Sequence, residues 1–284
     1  MQEWTTVINS KNKFFQLNIK EVCQYKDLIM MFVKRHFTVS YKQTILGPLW
    51  LVIKPVCAAI MYTIVFTNIA HISTDGAPAM LFYMMGNAIW TYFASCLGSN
   101  ASSFNDNAAI FGKVYFPRLV TPISNVLVNI INFLVQLVLV GAVAVFYVIK
   151  GNAADTSTIC PNIYVLLVPV LIIQIGMLGM GCGIIVSSLT TKYRDLSVLV
   201  GFGMQLWMYG TPIVYPLSQI PDKLRLIALI NPMTSVVETF RYALLGTGSI
   251  PYTWLIVSFI VTEVIFLMGI LIFNKVEKNF MDII

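Results

Sequence analysis

The chain has 284 residues, of which 58% are hydrophobic and only 11% charged. With a mean hydropathy of +0.80 it has too little polar surface to clothe a water-soluble body, whose charged share is about 25%, and its apolar content excludes disorder. The net charge of +6 does not point to nucleic acid, because 7 of the 18 Lys/Arg precede Gly47, beside the first apolar stretch, where basic residues set membrane topology.

Residues 1–20 carry Lys11, Lys13 and Lys20 and lack the apolar core of a secretory signal. Residues 27–42 read as an amphipathic helix. Asp27, Lys34, Arg35, Thr38 and Lys42 share one arc of the helical wheel, and Leu28, Ile29, Phe32, Val33, Phe37, Val39 and Tyr41 fill the rest. Such a helix suits the membrane interface, with Lys34, Arg35 and Lys42 on its polar side.

A membrane-spanning helix needs about 20 mostly apolar residues. Six stretches qualify: Leu46–Ala70, Ala79–Ser102, Leu119–Ile149, Ile163–Leu189, Leu196–Pro216 and Tyr252–Phe273. With the N-terminus in the cytoplasm, the inside segments hold 13 Lys/Arg and the outside segments 4, which predicts cytoplasmic termini at both ends. The division is a cytoplasmic N-terminus over 1–45, one membrane domain over 46–273 and a cytoplasmic tail over 274–284. The five cysteines are widely spaced and form no C-x-x-C pair, so they read as small apolar residues.

Between the second and third spans, Asn105 or Asp106 can cap a short helix that Gly112 ends. Lys113, Tyr115, Phe116 and Arg118 then cluster in a cytoplasmic loop, and exposed aromatics there call for a peripheral partner or for lipid headgroups on which a juxtamembrane helix lies. Between the fifth and sixth spans, the runs Lys223–Ile230 and Met233–Leu245 meet at Asn231-Pro232, since proline disfavours helix at the residue before it. Each run is too short to span, which predicts a re-entrant or interface-lying hairpin on the outer side, or else an ordinary outer loop packed on the bundle. On its second arm Glu238 and Arg241 are three residues apart and can pair.

The sequence has no H-E-x-x-H, no G-x-S-x-G and no Walker A motif, so neither a metal site, nor an enzyme, nor ATP hydrolysis by this chain is expected. Lys54, within the first span, either snorkels to headgroups or faces a pathway. Glu263, in the last, either makes a structural hydrogen bond or serves a proton-coupled carrier. Tyr62 and Phe66, four residues apart, share one face, as do Gln205 and Tyr209. With Trp207 and Tyr215, these could pack, form interface belts, or line a channel on which sugar rings stack. Gly176-x-x-Gly179-x-Gly181-x-Gly183 permits close helix approach.

Four motifs carry a family resemblance: Tyr41-Lys-Gln-Thr-Ile-Leu-Gly-Pro-Leu-Trp50; Lys113-Val-Tyr-Phe-Pro-Arg118 followed by Thr121-Pro122; Tyr193-Arg-Asp195 leading to Gln205-Leu-Trp207 and Thr211-Pro-Ile-Val-Tyr-Pro216; and Asn231-Pro-Met-Thr234 followed by Phe240-Arg241. In this order they resemble the permease subunits of polysaccharide and polyol-phosphate ABC exporters, the type-2 class that includes O-antigen, capsule and teichoic acid permeases.

The resemblance implies an all-α integral membrane protein of six transmembrane helices in a bacterial inner membrane. Two copies would pair above two ATP-binding cassette subunits, which hold ATP and Mg, while this chain binds no cofactor. The cargo would be a lipid-linked glycan. Spans one and five would line the channel through Tyr62, Phe66, Gln205, Trp207, Tyr209 and Tyr215. The coupling segment would be Asn105, Asp106, Lys113, Tyr115, Phe116 and Arg118, and the outer gate Asn231, Pro232, Glu238 and Arg241. A permease for a small lipid or drug, or a secondary carrier using Glu263, are the alternatives.

Overall fold

The computed structural model describes residues 19–42, 44–111, 113–114, 116–150, 159, 161–190 and 195–279, and among them every regular element is helical. In chain order these are α1 (Ile19–Gln24), α2 (Lys26–Tyr41), α3 (Trp50–Tyr62), α4 (Ala79–Ala101), α5 (Ser103–Phe111), α6 (Val120–Lys150), α7 (Val168–Thr190), α8 (Leu196–Tyr209), α9 (Asp222–Ile230), α10 (Pro232–Leu245) and α11 (Tyr252–Asn279). A 3-10 turn, Gly47–Leu49, leads into α3, and a π-helical stretch, Thr63–Ile69, prolongs it.

Among the described residues four helical stretches are long and apolar enough to cross a membrane: Gly47–Ile69, Val120–Ile149, Ile163–Thr190 and Tyr252–Lys275. They match the first, third, fourth and sixth predicted spans. The other two differ, for different reasons. α4 has the predicted bounds but is too polar, carrying Asn87, Thr91 and Asn100. It tolerates these because it is the centre of the bundle, with 14 of its 23 residues buried by other helices.

α8 ends at Tyr209, seven residues short of the predicted Pro216. Gly210 and Pro212 end it, and Thr211–Val214 runs on as buried irregular backbone. At 1.5 Å per residue, α8 is about 21 Å long against a hydrocarbon thickness of about 30 Å.

The glycine cluster builds two seams inside the chain. A Cβ on Gly183 would stand 2.6 Å from both the Leu97 carbonyl oxygen and the Asn100 Cβ, and one on Gly179 would stand 2.6 Å from the Cys96 Cβ. These two therefore press α7 against α4. Gly181 faces the other way, where its Cβ would lie 2.8 Å from the Phe266 Cα of α11, with Gly269 opposite it.

The connecting segments sort by end. Phe32 of α2, Phe104 and Phe111 of α5, Phe116, and Phe273 of α11 form an apolar cluster at one end of the bundle. Its ring pairs include Phe104–Phe273, stacked at 4.7 Å, and Phe32–Phe116 at 5.9 Å. At the other end the Ser218 hydroxyl donates to Asp75 at 2.8 Å, and the Asn162 backbone N–H donates to the Ala243 carbonyl. The segments predicted to share a side of the membrane thus meet one another.

Candidate functional site

The turn that follows α8 is held by one buried arginine. Arg241 of α10 is 1% exposed and is the largest fully buried side chain among the described residues. Its two terminal nitrogens donate to the carbonyls of Pro212 at 2.7 Å and Ile213 at 2.6 Å. The guanidinium lies 3.6 Å above the Phe82 ring of α4 and 3.3 Å from Glu238. Gly86 makes room for it: a Cβ there would stand 2.7 Å from the Ile213 carbonyl oxygen and 3.0 Å from the guanidinium.

Irregular backbone among apolar helices needs partners for its carbonyls, and Arg241 supplies them. Burial lowers the Arg241 pKa to about 10, so it remains charged at neutral pH. Burial also raises Glu238 above the ordinary glutamate value, and the neighbouring guanidinium only partly opposes this. The predicted Glu238–Arg241 pair is present, and it is buried in the core.

Asn231 ties the same region together. Its carbonyl oxygen caps α10 by accepting from the Met233 N–H at 3.1 Å, and it accepts from the Trp207 indole at 3.0 Å. Its amide donates to the Thr211 hydroxyl at 2.8 Å. Pro232, at the first position of α10, fits there because that residue's N–H would have no helical partner. The break predicted at Asn231-Pro232 is present, with α9 and α10 on either side.

The predicted channel residues fall into two groups. Tyr62 and Phe66 share a face, as their spacing requires, and both rings lie against Tyr83 of α4 at 6.2 and 6.0 Å. Trp207 is turned inward, edge-on to Phe93 at 5.0 Å. Gln205 and Tyr209 instead point away from the bundle, both exposed. The Tyr215 hydroxyl donates to the Tyr209 carbonyl at 2.8 Å, and Tyr215 lines a cavity of about 480 Å³ with Gly210, Pro221 and Leu224. No residue of α8 is buried. On α3 and its extension Trp50, Ile60, Met61, Ile64, Val65 and Ile69 are exposed.

At the opposite end, α5 begins at Ser103, so Asn105 and Asp106 occupy its first turn and not its cap. Asp106 accepts from the Ser102 hydroxyl at 2.5 Å. Phe116 corrects a second expectation: it is 5% exposed, buried in the phenylalanine cluster, because its ring packs against Phe32 of α2 and Phe111 of α5. Lys113 is exposed, and the Arg118 guanidinium stands 5.5 Å over the Phe111 ring. Tyr115 and Gly112 lie outside the described residues, as do Tyr193 and Arg194.

α2 packs along α6, burying Phe32 and Val33 and leaving Lys34, Arg35 and Lys42 exposed. Its His36 is held below the ordinary histidine value by burial and by Arg35, against the pull of Asp106.

A polar seam between α4 and α6 escaped the sequence reading. The Asn125 amide donates to the Ser99 carbonyl at 3.0 Å and the Asn129 amide to the Ser99 hydroxyl at 3.1 Å. The signal was present as Asn87, Thr91, Ser95 and Ser99, each four residues from the next, which places them on one helix face.

Residues 27–245, most of the chain, match the family described as ABC-2 type transporter. The chain belongs to that family. Members are membrane permeases, and the long apolar helices make this one a multi-pass membrane protein. It is 30% identical over 258 residues to a Klebsiella pneumoniae protein named O-antigen export system permease protein RfbA, covering 91% of this chain and 95% of the relative. A Myxococcus xanthus protein of the same name is 28% identical over 225 residues, covering 78% and 82%. In this ABC-2 permease, Arg241 and Asn231 fix the backbone beyond α8, while α8 and one face of α3 remain uncovered.

Proposed function

We propose that the chain is the channel-forming subunit of an ATP-driven exporter that moves a lipid-linked polysaccharide from the cytoplasm across the bacterial inner membrane. Membership of the ABC-2 family, with relatives named as O-antigen export permeases, supports the class of cargo. The geometric observation that carries the reading is the exposure of α8. It is an apolar helix with no buried residue, bearing Gln205 and Tyr209 on its outer face. An apolar helix too short to span alone, with a polar side chain and a phenol on its open face, fits the wall of a path shared with a second copy better than bare lipid.

In this reading two copies pair through α3 and α8, each copy contributes six transmembrane helices, and α4 and α8 are shielded from lipid by the assembly. α9 and α10 stand as the outer gate, re-entrant at the mouth of the path. Both termini, α2 and α5 face the cytoplasm, following the Lys/Arg bias. Two ATP-binding cassette subunits, carrying ATP and Mg, dock around α5, Lys113 and Arg118. Sugar rings slide past Tyr209, Tyr215, Tyr62 and Phe66, whose aromatic faces bind without demanding charge.

The test is to express the chain with its candidate ATPase subunit, purify the pair and measure hydrolysis, with and without Arg118→Glu. Co-purification and hydrolysis that collapses on charge reversal are expected. Tyr209→Ala should leave the complex intact while lowering surface polymer in cells. Absence of any associated ATPase, or full surface polymer when ATP hydrolysis is abolished, would overturn the proposal.

A further inference from the structure

The upper part of the α4–α6 seam opens into a cavity of about 370 Å³ between α3, α4 and α6. Its polar lining is Lys54, Asn87, Thr91, Ser95, Asn132 and Gln136, with no carboxylate among the lining residues. The lower part of the seam is satisfied internally through Ser99, Asn125 and Asn129. The upper part is not. Gln136 is 7% exposed, and its side-chain carbonyl oxygen is buried with no hydrogen-bond partner. Among the described residues Lys54 has no carboxylate in ion-pair reach, and its ammonium stands 5.5 Å from the Trp50 ring.

Buried polar atoms are ordinarily paired, and an ammonium inside an apolar span is costly unless it meets a counter-charge or water. Lys54 lies seven residues beyond Gly47, about 10 Å along the helix and inside the acyl region, from which its long side chain reaches back towards the headgroups. The Tyr41 hydroxyl at the end of α2 donates to Asn132 at 3.4 Å, which places the cavity beside the basic helix.

We propose that this cavity binds the phosphate headgroup of a lipid drawn from the leaflet next to α2. Lys54 donates to the phosphate. Asn87, Thr91, Ser95 and Asn132 offer both donors and acceptors for the polar atoms around it. Gln136 accepts from a headgroup hydroxyl, which gives its buried oxygen a partner. The acyl chains leave along the exposed apolar residues of α6, Ile131, Leu134 and Val138. Two sources supply this chemistry, an anionic membrane phospholipid and a polyprenyl phosphate carrier. The second rests on the export reading above; the first does not.

The experiment places the full chain in nanodiscs of equal parts phosphatidylglycerol and phosphatidylcholine, releases it into the gas phase and measures the retained lipid by native mass spectrometry. Wild type should retain phosphatidylglycerol over phosphatidylcholine by about fivefold, the factor that one lysine beside an anionic lipid is worth. Lys54→Gln should abolish the preference. Lys54→Arg, which keeps the charge, should restore it, and Lys223→Gln, on α9 at the other end of the bundle, should leave it intact.

Equal retention by wild type and Lys54→Gln would overturn the site, and so would displacement of the bound lipid by inorganic phosphate. Competition by polyprenyl phosphate separates the sources: displacement assigns the site to the carrier lipid, and retention assigns it to the phospholipid. None of these readouts involves ATPase or transport, so they stand apart from the test of the export function.

Discussion

α4 and α8 are both apolar helices of one chain, yet they have opposite surroundings. α4 has 14 buried residues and carries asparagines, a threonine and tyrosines. α8 buries none and consists largely of Leu, Val, Met, Phe and Gly. In water the more apolar helix would take the centre. In lipid no hydrophobic force drives helices together, so the centre goes to the helix that can be approached closely and hydrogen-bonded. Gly179 and Gly183 supply the approach for α4, and Ser99, Asn125 and Asn129 the hydrogen bonds. α8 has glycines too, Gly201 and Gly203, but a Cβ on either would meet nothing within 4 Å.

The sharpest way to break this contrast is at Arg241. Arg241→Ala strands the Pro212 and Ile213 carbonyls and leaves Glu238 buried without its partner. A loss of about 3–5 kcal/mol is expected, seen as failure to recover monodisperse protein in detergent. A normal yield would show that the turn is held by other contacts.

Next is a matched pair. Gly183→Ala should cost about 1–3 kcal/mol by wedging α7 off α4. Gly203→Ala should be neutral or stabilising by under about 1 kcal/mol, since alanine is the better helix former and nothing opposes it. Thermal midpoints of the two variants decide it, and equal shifts would erase the distinction between centre and rim.

Asn231→Ala removes the α10 cap together with the Trp207 and Thr211 bonds. About 1–2 kcal/mol is expected, accompanied by a change in Trp207 fluorescence as its indole loses its acceptor.

The smallest effect concerns His36. Its pKa is lowered in the fold, so the unfolded chain takes up its proton first. The contribution of neutral His36 is complete above the ordinary value of 6.5 and is lost as pH falls through the lowered one. Between about pH 7.5 and pH 5 the chain should lose under about 1 kcal/mol, because half-exposed charges are screened. His36→Gln should flatten that slope.

Much of this was legible in the sequence, because the bilayer imposes length. Long apolar runs marked the stretches Gly47–Ile69, Val120–Ile149, Ile163–Thr190 and Tyr252–Lys275 to within two residues at each end. The Asn231-Pro232 break was legible through proline's steric effect on the residue before it, and the glycine cluster through the absence of side chains. The end of α8 was misread although Gly210 and Pro212 marked it, since apolar Ile213 and Val214 beyond them prolonged the hydropathy. Phe116 was misplaced because hydropathy does not tell an aromatic awaiting a partner from one covered by distant α2. Arg241 was read only as half of a local pair, which it is, because no periodicity reveals that a charge also serves backbone carbonyls 28 and 29 residues away.

The anchoring of α8 at one end has a mechanical consequence. Beyond Tyr209 the backbone is pinned by Arg241 and Asn231, and Trp207 is gripped by Phe93. Towards Leu196 the helix stands off from α4 and α7 across a cavity of about 450 Å³, lined by Gly98, Ala101, Thr190 and Gly201. A stiff rod pinned beyond Tyr209 and set across a cavity towards Leu196 acts as a lever. A load applied near Asp195 swings it about the clamp and does not slide it along its axis. Over an arm of about 21 Å, the largest sweep falls at the α5 end of the bundle, and almost none of it reaches Tyr215.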